Sequence, residues 1–155
     1  MLERGEWPML LRHVRRLSDT CIQTRFHSAM DDPDLVHWAR TSELNDVIGW
    51  VVDGELRATV EIGYRGTRAE CALTVEAPYR STRIGRRLFT KACKHAARQG
   101  AEVMAMVARR GSERSLRRMH GRAGWTTTLS YARSIILPNA GPEQPLWMLR
   151  NLRGE

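Results

Sequence analysis

The chain has 155 residues, close to the length of one ordinary domain of about 150 residues, so we expect a single domain spanning 1–155. Hydrophobic residues make up 42% and charged residues 27% of the chain, a globular balance that excludes wholesale disorder and a fibrous protein. Lysine and arginine outnumber the acids by 25 to 17, giving a formal net charge of +8. Only Lys91 and Lys94 are lysines, and such an arginine bias does not by itself indicate phosphate recognition.

Cysteine spacing and hydropathy indicate a cellular compartment. Cys21, Cys71 and Cys93 form neither a CxxC pair nor a metal-ligand cluster, which favours a reducing compartment and predicts no bound metal. The N-terminal stretch mixes acids and bases around a short apolar patch, and later apolar runs stay far below the roughly 18 residues of a membrane span. We therefore expect a cytoplasmic protein without a membrane segment.

The first 42 residues predict one strand and two helices. The strand covers 9–16. Ser18 or Asp19 can cap a first helix that runs to about Ala29, and a second short helix fills 34–42.

The clearest local signal in the chain is a hairpin. Two β-rich runs flank Asp53-Gly54, a strong two-residue turn, so they form an antiparallel pair. A third strand over 69–75 alternates with a period of two. Cys71, Leu73 and Val75 are therefore expected on one face, and Glu70 on the other.

A crossover unit follows the third strand. Apolar residues recur at helical spacing from Ile84 to Arg98 and cationic residues occupy the opposite face, so an amphipathic helix is expected that ends at Gly100. The run 101–107 is almost continuously apolar, as in a strand buried on both faces. Strand, helix and strand then place 69–75 and 101–107 parallel to each other.

The last part of the chain predicts one further helix and two strands. Ser112 or Glu113 can open the helix, which ends at Ala123 before Gly124. The segments 126–137 and 145–152 read as strands joined by a loop rich in proline and glycine.

Positive charge is concentrated between Arg80 and Arg122, where thirteen Lys or Arg residues face only two acids, a net +11. Such a field attracts an anion: a nucleotide cofactor, a nucleic acid or an acidic surface. A nucleic-acid-binding module is one alternative, but single-strand binders need stacking aromatics and Phe89 is the only aromatic residue in this segment. Nucleic acid is therefore the less favoured partner.

The loop Arg80-Ser81-Thr82-Arg83-Ile84-Gly85 enters a helix directly from a strand. Backbone N–H groups at a helix start, together with the positive end of the helix dipole, make a seat for a pyrophosphate, and glycine permits its close approach. An ordinary basic helix cap would look the same in sequence.

The order and spacing of these elements resemble the GNAT superfamily of acyl-CoA-dependent N-acetyltransferases over roughly residues 10–137. That family carries Q/R-x-x-G-x-G/A in the loop, which Arg80 and Gly85 match at the ends. The segments LSDTCIQTRFHSAM, VVDGELRATVEI and AECALTV look most like the acetyltransferase domain of bacterial protein-lysine acetyltransferases. The resemblance implies an α/β (α+β) fold with a mixed, mostly antiparallel sheet of six to seven strands and about four helices.

The resemblance also implies an acetyl-CoA site between the diverging ends of strands 69–75 and 101–107, with no metal. Pantetheine would pair with the backbone near Leu73 and Val75, and the pyrophosphate would rest on amides from Ser81 to Arg86. The cofactor-binding set predicted in this way is Leu73, Val75, Arg80, Ser81, Thr82, Arg83, Ile84, Gly85 and Arg86. The partners are acetyl-CoA and an amine, either a protein lysine or a small amine, and a homodimer is left open.

Two residues are candidates for acid–base catalysis by this resemblance. A lysine-like ammonium has a pKa near 10.4 and must lose a proton before it attacks, for which Glu70 is the predicted base, with Glu61 and Glu76 as rivals. His120 occupies the position where many members carry a tyrosine acid that protonates the departing thiolate. The alternatives are a solvated Glu70 paired to Arg68 or Arg57 and a core His120.

Two departures from the family pattern bear on activity. Arg83 stands where the loop usually has its first glycine, and Glu113 stands where an asparagine is usual. If both weaken acetyl-CoA binding, the chain is a weak or inactive family member, such as a CoA-sensing regulator.

Overall fold

The computed structural model describes residues 1–3, 5–26, 28–42 and 45–107, together with the strands at 125–129 and 132–136. Four α-helices and six strands fall within these residues. The sheet order is β1-β2-β3-β4-β6-β5, and the only parallel neighbours in the described sheet are β3 and β4. The α+β class and the mostly antiparallel sheet are as the sequence predicts.

The first element is a helix, α1 (Trp7–Arg15), so the strand predicted over 9–16 is wrong. Pro8 lies in the first turn, where its missing N–H is not needed. Leu10, Leu11 and Val14 are buried together, at the spacing of one helical face, whereas a strand would put Leu10 and Leu11 on opposite faces. The run of bulky residues suggested a strand, but its period was helical.

Two more helices follow, as predicted, with shifted ends. They are α2 (Asp19–Phe26) and α3 (Asp32–Thr41). The helix α3 begins before the predicted residue 34 because Asp31 caps it. The Asp31 carboxylate accepts from the Asp34 N–H at 2.9 Å, and the Asp34 carboxylate accepts from the Asp31 N–H at 3.4 Å.

The predicted hairpin and third strand form a meander of β1 (Asp46–Val52), β2 (Glu55–Arg65) and β3 (Arg68–Val75). Asp53 and Gly54 both have positive φ, +52° and +74°, as a two-residue hairpin turn requires. A short 3-10 turn at Ala77–Tyr79 then leads into the loop before the next helix.

The predicted crossover is present as α4 (Ile84–Arg98) and β4 (Val103–Val107), with β4 parallel to β3. The single strand predicted over 126–137 is instead two strands, β5 (Trp125–Leu129) and β6 (Ala132–Ile136), paired antiparallel. Sequence patterning missed this hairpin because residues 130–131 include no Gly, Asn or Asp. The helix predicted from Ser112 or Glu113 and the strand over 145–152 lie outside the described residues.

Helices cover both faces of the sheet. Ile48 packs in the main core with Leu88 and Phe89 of α4, whereas its neighbour Val47 packs with Leu10 of α1. Because successive strand residues point to opposite faces, α4 and α1 lie on opposite sides of the sheet. A third apolar cluster joins α1 to α3 through Val14 and Leu35. Each amphipathic helix buries its apolar stripe this way.

Candidate active site

The parallel strands β3 and β4 are paired along the first half of β3. Their described pairing runs from Arg68 with Val103 to Cys71 with Met106. Beyond it, Leu73 to Val75 pair with β2, while Val107 pairs with β6. No described residue of β4 pairs with Leu73–Val75, the part of β3 that leads toward the loop before α4.

The loop before α4 adopts an unusual backbone conformation. Ser81 and Arg83 have φ of +67° and +66°, in the left-handed region. Arg83 is the N-cap residue, and no side chain in the described part of the chain accepts a hydrogen bond at this cap. A helix start without a side-chain cap leaves backbone N–H groups that can bind an anion.

The side chains of this loop divide into those that can meet a ligand and one that cannot. Arg80, Ser81, Thr82, Arg83 and Arg86 are exposed, so their polar groups are accessible. Ile84 is buried in the core between α4 and the sheet, so only its backbone could contribute. Arg80 Nε donates to the carbonyl of Val75 at 3.1 Å, which ties the loop to the end of β3.

Gly85 lies close to β3. A Cβ built on Gly85 would be 3.4 Å from Leu73 Cδ2 and 3.7 Å from Val75 Cγ2, which is ordinary van der Waals contact. The protein itself therefore leaves room for a side chain at this position. A glycine here fits a ligand that approaches the helix start more closely than the protein does.

An open cleft of about 360 Å³ lies on the opposite face of the sheet from α4, between α2 and strands β2, β3 and β4. Two carboxylates line it. Glu70 is paired to Arg68 at 2.6 Å, with 47% of its side chain exposed. Glu61 is paired to Arg25 at 2.9 Å, accepts from Ser42 at 3.2 Å and is only 7% exposed. The structure thus brings the predicted base and one of its rivals into one cleft.

The other rival, Glu76, belongs to a buried polar group that sequence reasoning missed. His13 Nδ1 lies 3.1 Å from Glu76 Oε1, and His13 Nε2 lies 2.9 Å from Thr74 Oγ1. Glu76 also accepts from Arg16 Nε at 2.8 Å and from Arg57 Nη1 at 3.2 Å. No local signal marks this group because its members lie about 60 residues apart in the chain. Only the docking of α1 on β3 brings them together.

Several sequence predictions cannot be placed. His120, Glu113 and the cationic residues from 109 to 122 lie outside the described residues. Among the described residues, no group of three or more His, Cys, Asp or Glu side chains could hold a metal ion. No described helix is long and apolar enough to cross a membrane.

The arginine-rich start of α4, which has no side-chain cap among the described residues, directly follows the loop after β3. Residues 9–125 match the model of the acetyltransferase (GNAT) family. The chain belongs to this family. No curated protein sequence matches it.

Solved structures with the same fold come from several organisms. The GNAT domain of PAT from S. lividans superimposes with a TM-score of 0.72 at 16% identity, over 88% of each chain. The yncA protein of Salmonella typhimurium, solved with its cofactor acetyl-CoA, gives 0.68 at 15% identity over 93% of this chain and 96% of that one. The paia N-acetyltransferase of Thermoplasma acidophilum, in complex with coenzyme A, gives 0.60 at 15% identity over 87% and 95%. At these identities the likeness establishes the fold.

Proposed function

We propose that the chain transfers the acetyl group of acetyl-CoA to a primary amine, with protein lysines as the first acceptors to test. The observation that carries this proposal is the match of residues 9–125 to the acetyltransferase family, in a chain whose α4 starts at an exposed, arginine-rich loop after β3. The acetyl-CoA and coenzyme A bound in two proteins of this fold support the choice of ligand.

The residues of the loop before α4 and those at the end of β3 fit acetyl-CoA. The N–H groups from Ser81 to Arg86 and the exposed guanidinium groups of Arg80, Arg83 and Arg86 would hold the pyrophosphate. The backbone of Leu73 and Val75 would pair with the pantetheine arm, as an added strand pairs with a sheet edge. Acetyl-CoA supplies the activated acetyl group, and the protein supplies its orientation and the proton transfers.

Glu70 is the proposed base that removes the first proton from the ammonium group of the acceptor. Both Glu70 and Glu61 line the cleft, but Glu70 is 47% exposed and Glu61 only 7%. A base that must discharge its proton to solvent in every turnover needs contact with water, which favours Glu70. In this proposal a backbone N–H near Leu73 on β3 would stabilise the oxyanion.

Calorimetric titration with acetyl-CoA, followed by transfer assays, tests the function. We expect saturable binding and release of free CoA thiol when protein lysines, polyamines or small amines are supplied. Binding without transfer to any acceptor would support a CoA-sensing protein instead. Transfer to small amines alone would keep the enzyme and exclude the lysine acceptor. No binding at millimolar acetyl-CoA would contradict the proposal.

The variant Glu70→Gln tests the base. We expect kcat to fall by about 10²-fold at neutral pH, because general base catalysis contributes on that order, while acetyl-CoA binding stays the same. Glu55→Gln is the matched control: Glu55 is also a surface glutamate paired to arginines, Arg16 and Arg12, and does not line the cleft. Equal kcat values in the two variants would remove Glu70 as the base.

A further inference from the structure

The mechanism proposed above leaves unused a chain of three buried polar side chains beside the cleft. Thr74, His13 and Glu76 are 7%, 1% and 5% exposed. Hydrogen bonds of 2.9 Å and 3.1 Å join Thr74 to His13 and His13 to Glu76. A hydroxyl, an imidazole and a carboxylate in this order form an arrangement that can move a proton.

The direction of each hydrogen bond follows from the carboxylate. Glu76 as a carboxylate can only accept, so the proton of His13 lies on Nδ1 and points to Glu76. The other ring nitrogen, Nε2, is then an acceptor, and the Thr74 hydroxyl donates to it. Thr59 lies 2.8 Å from Thr74 Oγ1 and donates to it. The hydroxyl proton of Thr74 is therefore already directed at a base.

Thr74 connects these three hydrogen-bonded side chains to the cleft. Thr74 lines the cleft together with Glu70, and the two lie on the same face of β3 because four residues separate them. Thr74 also lies between Leu73 and Val75, whose backbone would hold the pantetheine arm of acetyl-CoA in the proposed function. His13 and Glu76 do not line the cleft.

Acetyl transfer from a thioester to an ammonium group moves two protons. The first leaves the ammonium before attack and is released to water. The second leaves the nitrogen after the N–C bond has formed, and the sulfur needs a proton when the C–S bond breaks. The second proton therefore has to cross only from nitrogen to sulfur inside the site. An exposed base suits the first proton, and a buried acceptor that returns its proton suits the second.

We propose that Thr74, His13 and Glu76 carry this second proton, in an inference that rests on the proposed function. Thr74 Oγ takes the proton from the nitrogen as its own hydroxyl proton passes to His13 Nε2, and Glu76 stabilises the imidazolium. Reversal of the same two transfers delivers the proton to the departing thiolate, giving the amide and CoA thiol with no net change in the protein. Thr74 is the residue in contact with the substrates, and His13 and Glu76 act through it.

The charged groups around His13 set its pKa so that it can accept a proton and release it again. Burial lowers the pKa of His13 below 6.5, the hydrogen bond and charge of Glu76 raise it, and the charge of Arg16 lowers it. Arg16 and Arg57 both bind Glu76, and Glu55 in turn binds Arg16. His13 is thus neutral at pH 7. Its imidazolium is a stronger acid than a thiol with a pKa of about 8.5, so the proton passes on to sulfur.

Thr74→Val removes the hydroxyl while keeping the shape of the side chain. We expect kcat for acetyl transfer to fall by about 10²-fold, the usual contribution of acid–base catalysis, with the Kd for acetyl-CoA changed less than about threefold. Thr74→Ser should restore kcat to within about fivefold of the parent protein. Thr41→Val is the control, because it removes a threonine hydroxyl that hydrogen-bonds to carbonyls of α3 and does not line the cleft. We expect it to reduce kcat less than about threefold.

The pH dependence of kcat provides a measurement on the unaltered protein. Because only neutral His13 can accept the proton and burial holds its pKa below 6.5, kcat should show an acidic limb that lies below pH 6.5, and the residual activity of Thr74→Val should lack this limb. Unchanged kcat in Thr74→Val, or no recovery of kcat in Thr74→Ser, would overturn the relay. The proposed function would still hold in that case if the parent protein transfers acetyl groups. A parent protein that binds acetyl-CoA yet acetylates no amine overturns both.

Discussion

Arg83 shows how a single residue departs from the family loop without changing its backbone. The family usually has glycine at this position, and glycine adopts positive φ freely. Arg83 keeps the left-handed conformation, with φ of +66° and ψ of +3°. The sequence alone raised the possibility that an arginine crowds the loop. In the structure the exposed side chain lies outside the core, and the cost of the substitution is local backbone strain.

Replacing Arg83 with glycine should therefore stabilise the protein. The left-handed conformation costs a non-glycine residue about 1–2 kcal/mol, and glycine loses roughly 0.5–1 kcal/mol through the flexibility of the unfolded chain. We expect Arg83→Gly to raise the free energy of unfolding by about 0.5–1 kcal/mol, measured by urea unfolding.

The matched control for Arg83→Gly is Arg86→Gly, three residues later and inside α4. There the backbone is helical, so glycine should lower the free energy of unfolding by about 1 kcal/mol. The same sign in both variants would show that Arg83 is not strained.

His13 and Glu76 should make stability depend on pH. Burial lowers the pKa of His13. Burial would raise the pKa of Glu76, but its hydrogen bonds with Arg16, His13 and Arg57 lower it overall. For a group whose pKa is lower in the folded state, the stability it contributes is complete above its unfolded pKa and is lost as the pH falls through the folded value.

We therefore expect the free energy of unfolding to decline as the pH falls below 6.5, first through His13 and then, below 4.5, through Glu76. Urea unfolding at a series of pH values measures the decline. Glu76→Gln should be less stable at neutral pH and should lose less stability below pH 4.5. A decline just as steep in this variant would assign the effect to other carboxylates.

Among the site residues, sequence reasoning could find only those close together in the chain. Glu70 could be selected because it lies on the strand just before the loop. The role of His13 could not, because its partners Thr74 and Glu76 are 61 and 63 residues away. Short motifs report local geometry, whereas this buried group depends on helix docking.

At the scale of elements, Gly85 affects both the stability of α4 and the proposed binding of acetyl-CoA at its start. A Cβ at this position would make only ordinary contact with Leu73 and Val75, so Gly85→Ala should fold. Alanine is favoured over glycine in a helix, and we expect the free energy of unfolding to rise by about 0.5–1 kcal/mol. Because the proposed pyrophosphate seat lies at this helix start, we also expect the added Cβ to weaken acetyl-CoA binding at least about tenfold.

Thr90→Ala is the control for Gly85→Ala. Thr90 is exposed on the same helix, so alanine should also stabilise the protein slightly without changing the Kd for acetyl-CoA. Paired urea unfolding and calorimetric titration measure both quantities. If Gly85→Ala binds acetyl-CoA as tightly as the parent protein does, the pyrophosphate does not bind at this helix start.

Elements whose apolar residues follow one clear periodicity were predicted well, whereas the segment 9–16, which was predicted as a strand, was not. The helix Ile84–Arg98 has six buried residues on one stripe, and its bounds match the prediction. The segment 9–16 combines a helical period with bulky residues, and it folds as a helix because that period lets Leu10 and Leu11 both face the protein interior. Leucine, methionine and arginine are also good helix formers, so local propensity and tertiary packing agree in this segment.

At the scale of the whole molecule, the net charge of +8 matters less than where charge lies relative to the site. Arg86 and Arg98 are both on α4, twelve residues apart, which is about 18 Å along a helix. That separation exceeds the Debye length of about 8 Å at physiological salt. Removing either charge changes the net charge equally but should affect an anion at the helix start unequally.

We expect Arg86→Gln to weaken acetyl-CoA binding by about tenfold and Arg98→Gln by less than about twofold at physiological salt. Calorimetric titration of both variants measures the difference. Equal losses would mean that the general field of the protein, rather than local contacts, attracts the cofactor.

The sequence by itself determined the α+β class, the hairpin and the strand–loop–helix–strand crossover. These features depend on residues close together in the chain, whose periodicity and turn chemistry are visible in one dimension. The tertiary structure alone decided that 9–16 is helical and that His13 reaches Thr74 and Glu76. These features depend on packing between distant segments, because a buried group finds its partners only when the elements dock.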